Sequence, residues 1–180
     1  MSAVTKEKLV EELDLCFLKI ALDDIKRASD IDVNTTLAPF ILGSCFVEAL
    51  AGFYCGQEDP DAQGNGERFV KFVTKYLPQY NATNLWKSLR NGLVHSYAEK
   101  GKYSFTNKKS RLHFQTDPIG RKIINDENFV NDLETAYENF KKDILDQRDD
   151  GIFLKAKKRF DSFGLMKIVE LKYRTPERET

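Results

Sequence analysis

Residues 37–55 read LAPFILGSCFVEALAGFYC. The stretch is apolar on nearly every side, and a helix of that kind belongs at the centre of a bundle or in an interface. Its length also suits a membrane span. Glu48 lies inside it, however, and Pro39, Gly43 and Gly52 interrupt it. We therefore expect a central, largely buried helix and no membrane as partner. The fold then depends on what the flanking segments pack against it.

Upstream, residues 6–28 place Leu9, Leu13, Phe17 and Ile20 on one helical face, with acids and lysines elsewhere. The break SDIDVNTT offers Asn34, Thr35 or Thr36 as cap for the central helix. Downstream, GQEDPDAQGNG is a loop by composition. A third helix is expected over about 66–77, ending before Pro78, and a fourth from Asn81–Asn84 through LWKSLRNGLVHSY. Residues 101–116 alternate Tyr103 and Phe105 with Leu112 and Phe114 around a polar turn, Asn107–Ser110, which predicts a β-hairpin. A fifth helix over about 127–147 has Asn125 or Asp126 as cap and acids in its first turn. A sixth segment, about 151–171, reads as helical with a break near Gly164, before a frayed tail. The whole predicts a mainly α single domain over 1–180: an up-and-down helical bundle with a core over about 6–148, one small inserted β-hairpin, and a C-terminal helical extension.

The chain has 180 residues, with 28 Lys plus Arg against 28 Asp plus Glu. Bulk charge therefore points to neither nucleic acid nor membrane, and only local patches can. Charge is uneven: residues 99–124 hold seven Lys/Arg against two acids, and residues 125–150 hold three against nine. Cys16, Cys45 and Cys55 each sit in an apolar context and read as packing thiols of a reducing compartment. No CxxC or Cys/His cluster has zinc spacing, so no metal or other cofactor is expected. The charged start, MSAVTKEKLVEELD, lacks the apolar core of a signal peptide, and a cytoplasmic location is expected.

Chemistry is most legible at LWKSLRNGLVHSY. His95 and His113 are the two histidines, and imidazole is the natural proton carrier near neutral pH. Leu85, Trp86, Leu89 and Leu93 share a face that should be buried. At about 100° per residue, Asn91 and His95 lie one turn apart on the opposite side, with Arg90 between the faces. Gly92 removes a side chain between them. An imidazole beside a guanidinium suits a phosphate: the guanidinium offers a planar fork of donors, and the imidazole moves protons. His113 reads as a strand residue only.

The run Arg90-Asn91-Gly92-Leu93-Val94-His95 resembles the Arg-x(4–6)-His motif of the HEPN superfamily. Arg90-Asn91 with His95-Ser96-Tyr97 also looks like the Arg-Asn … His-Tyr core of its kinase-extension nuclease branch. FVEALAGF resembles that superfamily's alanine-rich second helix with an inward acid. The resemblance covers about residues 6–148 in architecture and about eight residues in motif; the hairpin and the helix after residue 150 depart from it. It implies an RNA-directed homodimer with a composite site. In catalytic members, a metal-independent endoribonuclease of stress or defence pathways, His95 acts as general acid or base, Arg90 stabilises the phosphorane and Asn91 orients phosphate or imidazole. A protein partner such as an antitoxin is also implied. Other members are non-catalytic dimerisation, RNA- or nucleotide-binding, or scaffold modules. Glu48 is expected either to pair with a cation or amide, or to support the motif. Lys100, Lys102, Lys108, Lys109 and Arg111, with Tyr97, form the candidate substrate-binding surface, with Arg121 and Lys122 nearby. Its alternative is a solvated hairpin whose charges guard the edge strands. Tyr103 and Phe105 stand either as stacking platforms or as core.

Overall fold

In the computed structural model of the chain, residues 4–30, 37–59, 63–95, 102–107 and 109–165 are described. The protein is mainly helical. Helix α1 runs without a break through Lys6–Leu13, Asp14–Leu22 and Asp23–Asp30, and its middle stretch is wound as a π-helix. Thr5 caps its start, its hydroxyl accepting from the Lys8 amide at 3.2 Å. Helix α2 spans Ala38–Cys55, α3 spans Asn65–Tyr76, and α4 is Ala82–Trp86 continued by the π-wound Lys87–Val94. Helices α5, Asp126–Leu145, and α6, Gly151–Phe163, follow the strand region.

Helix α2 is the hub, packing against α1, α3, α4, α5 and α6. It buries Phe40, Phe46, Val47, Leu50 and Phe53 in one contiguous core with Leu9, Leu13, Phe69, Phe72, Leu89, Leu133 and Phe140. Among the described residues it is the helix long and apolar enough to cross a membrane by length and composition; more than half of it is buried inside the bundle. Its glycines are packing devices. A Cβ on Gly43 would meet Phe129 at 2.6 Å and Leu133 at 2.8 Å, so α5 approaches the α2 backbone directly. The helix ends on Gly56, whose φ of 69° is left-handed and whose amide closes back on Gly52 and Phe53.

Of the two cap candidates for α5, Asn125 serves, its side-chain oxygen accepting from the Asn128 amide at 3.1 Å; Asn81 likewise caps α4, accepting from the Asn84 amide at 2.9 Å. The candidate caps at 34–36 lie outside the described residues, as does the sixth segment beyond Leu165. Helix α6 ends at Phe163 before Gly164, as expected from the glycine.

The expected hairpin at 101–116 is not what forms. Strand β1, Tyr103–Thr106, pairs in parallel with β2, Lys122–Asn125, in the register Tyr103↔Lys122 to Thr106↔Asn125. Between them Ser110–Leu112 makes a 3₁₀ turn, and Phe114 takes a positive φ of 60°. Leu112 and Phe114 therefore never form a return strand. Asp117 organises the reversal: its carboxylate accepts from Ser104 Oγ at 2.5 Å, from the Ile119 and Arg121 amides, and from Arg121 Nε. Those hydrogen bonds hold its pKa down to about 2. The chain then returns through Ile123 and Ile124, an apolar pair that outcompetes Leu112 and Phe114 for β1.

Candidate functional site

The motif helix α4 is anchored as the sequence suggests. Leu85, Leu89 and Leu93 are buried, and Trp86 lies on Phe69 with ring centroids 5.1 Å apart. Its winding differs from the expectation. Over Lys87–Val94 the backbone is wound as a π-helix, with Arg90 inside that winding and His95 as its C-cap.

Arg90 turns inward. Its Nε donates to Glu48 Oε2 of α2, and both side chains are half-buried, at 20% and 22% exposure. Of the two readings for Glu48, the ion pair holds, and its partner is the motif arginine. Asn91 and His95 are exposed. Gly92 is buried, so the backbone there sits against the bundle.

Beside this pair lies a polar cleft of about 290 Å³, walled by Cys45, Glu48, Ala49, Gln57, Asn65, Arg90 and Arg159. Asn91 and His95 are not in its wall. The Cys45 thiol is pushed up by burial; Arg90 pulls it down and Glu48 pushes it up, so it is a poor nucleophile. Arg159, from α6, donates from Nη1 to Gln57 Oε1 at 2.9 Å. Sequence reading did not single it out. Its only signal was a lone arginine between Phe153, Phe160 and Phe163 in a segment taken for a simple extension.

The candidate substrate surface divides. Lys102, Lys109 and Arg111 are exposed, and Tyr97, Lys100 and Lys108 lie outside the described residues. Arg121 is occupied by Asp117 at 3.1 Å, and Lys122 Nζ donates to the Phe114 carbonyl at 3.1 Å. Tyr103 and Phe105 belong to the core rather than to a stacking platform. The Tyr103 hydroxyl accepts from the Asn81 amide at 2.9 Å, and Phe105 lies 4.7 Å from Phe40.

His113 is half-buried between β2 and α5. Its Nδ1 accepts from the Asn125 amide at 3.1 Å, and its Nε2 faces Tyr80 Oη at 3.5 Å and Asp132 Oδ2 at 3.6 Å. Tyr80 in turn donates to Asp132 at 2.6 Å. Burial and the Asp132 charge raise the Tyr80 hydroxyl far above its ordinary value, so it stays protonated.

Comparison with protein-family models, with curated proteins and with solved structures finds no match.

Proposed function

We propose that the chain is a HEPN-like, RNA-directed protein of the cytoplasm. In it, two copies join their α4 helices into a composite site for metal-independent endoribonucleolytic cleavage. The observation that carries this reading is the half-buried Glu48–Arg90 pair on the motif helix, with an exposed histidine five positions further along the sequence. Glu48 fixes the guanidinium through Nε, leaving its terminal edge as the phosphate-facing fork. His95 takes the proton of a ribose 2′-hydroxyl, the 2′-oxygen attacks phosphorus, and the imidazolium so formed returns its proton to the departing 5′-oxygen as the P–O5′ bond breaks. The product is a 2′,3′-cyclic phosphate and a new 5′-hydroxyl end. Arg90 offsets the charge that develops on the phosphorane. Exposed Lys102, Lys109 and Arg111 supply sequence-independent attraction for the backbone.

A second reading is favoured by one specific feature. His95 lies outside the wall of the cleft that holds Arg90. In that reading the chain is a non-catalytic dimerisation, RNA- or nucleotide-binding module, or one that meets a protein partner such as an antitoxin. The deciding experiment incubates the purified protein with total RNA in excess chelator. Cleavage to 2′,3′-cyclic phosphate ends, lost in His95→Ala, supports the nuclease. RNA binding without cleavage selects the module. Sedimentation at micromolar concentration tests the assembly: a monomer of 20.7 kDa overturns the composite site.

A further inference from the structure

Arg159 is held where a cation is costly. Its side chain crosses α2 at Gly52, where an added Cβ would lie 2.6 Å from the guanidinium carbon. The guanidinium faces Phe53 at 5.1 Å and Phe163 at 4.7 Å, which fixes its plane. Among the described residues its buried Nε has no acceptor, and its one hydrogen bond is to the neutral Gln57 amide oxygen. Other partly buried cations here have carboxylates: Arg90 has Glu48, Arg121 has Asp117, and Lys141 has Asp14 and Glu138. Among the described residues Arg159 has none. Burial, reinforced by the neighbouring charge of Arg68, lowers its pKa, so the site gains from added negative charge. A buried charge of this kind is stable only with a partner.

We propose that the cleft between α2, α4 and α6 is an oxyanion site that binds a phosphate group, with Arg159 carrying the recognition. Among the described residues Glu48 is the one carboxylate in the cleft wall, and it is matched by Arg90. The uncompensated charge is therefore that of Arg159. Two guanidiniums in one wall provide the planar, multi-donor grip that suits phosphate oxygens. The cleft, at about 290 Å³, is larger than a bare phosphate ion and admits the sugar to which the phosphate is attached. This inference rests on charge and burial at α6, not on His95 being catalytic, so it fails or survives separately from the nuclease reading.

Thermal unfolding of the full chain in increasing inorganic phosphate, against sodium chloride of equal ionic strength, tests it. A saturable rise in Tm is expected with phosphate and not with chloride. Arg159→Gln should weaken that response about tenfold or more, since hydrogen bonds to a charged group are lost. Arg159→Lys should keep part of it. Arg148→Gln, at an 89% exposed arginine paired with Asp146, should leave it intact. Competition by a 5′-phosphorylated RNA dinucleotide and its unphosphorylated form separates the two sources of phosphate: preference for the former identifies a terminal monoester, and equal competition identifies the diester. Equal stabilisation of the wild type by phosphate and chloride overturns the proposal, even if Arg159→Gln does not fold. So does an Arg159→Gln protein that responds to phosphate like the wild type.

Discussion

The two histidines of this chain occupy opposite situations. His113 is clamped between the Asn125 amide, Asp132 and Tyr80, with 11% of its side chain exposed. His95 stands exposed at the end of a π-wound turn that has already committed its arginine to Glu48. Because Nδ1 of His113 accepts a backbone hydrogen, its neutral tautomer carries the proton on Nε2, toward Asp132 and Tyr80. That proton has a structural use, and burial opposes adding a second. The contrast separates a histidine that knits β2 to α5 from one that faces solvent.

The sharpest way to break this contrast is to remove each imidazole and read both activity and stability. His95→Ala should lower RNA cleavage by about 10²–10⁴-fold, the usual worth of a positioned acid–base group. Its stability should stay within about 0.5 kcal/mol of wild type, as for other exposed positions. His113→Ala should retain cleavage per folded molecule and instead lose about 1–3 kcal/mol, because the Asn125 amide loses its acceptor. Urea midpoints and initial cleavage rates suffice. If His113→Ala abolishes cleavage while remaining folded, or His95→Ala unfolds the protein, the assignment of roles is reversed.

Glu48 extends the comparison from α4 to α2. Glu48→Gln keeps the shape and removes the charge that holds Arg90. We expect a loss of about 1–3 kcal/mol in stability, as when a charged hydrogen-bond partner is removed from a half-buried site. A nuclease with Arg90 as its phosphate clamp should also lose kcat more than it gains in KM. A variant of unchanged stability would show that the pair is solvated and that Arg90 is not positioned through it.

Much of the fold was legible. The apolar run at 37–55, the leucine stripe of α4 and the Asn125 cap of α5 each state a local preference that the tertiary structure keeps. What stayed hidden depended on competition between distant segments. Leu112 and Phe114 alternate like a strand, but Ile123 and Ile124 pair with β1 once Asp117 has turned the chain. No periodicity announces the π-winding of α1 and α4. Glu48 was readable as a buried acid in search of a cation. Arg159 was not readable as a site residue, because only the packing of α6 on Gly52 carries its guanidinium to the same cleft.

The smallest expected effect is a slope. Burial lowers the folded-state pKa of His113 below its ordinary 6.5, and the Asp132 charge offsets only part of that. Adding a proton at Nδ1 also replaces an acceptor with a donor facing the Asn125 amide. The unfolded chain therefore binds this proton more readily than the folded one. Between the unfolded value and the lower folded value, ΔG of unfolding rises with pH. The contribution of His113 is thus complete above about pH 7 and declines as pH falls through 6.5, until the folded imidazole protonates as well. Urea midpoints between pH 5 and 8 should accordingly decline less steeply toward acid in His113→Gln than in wild type. A His113→Gln protein that keeps the wild-type slope would show that the clamped imidazole is not its source.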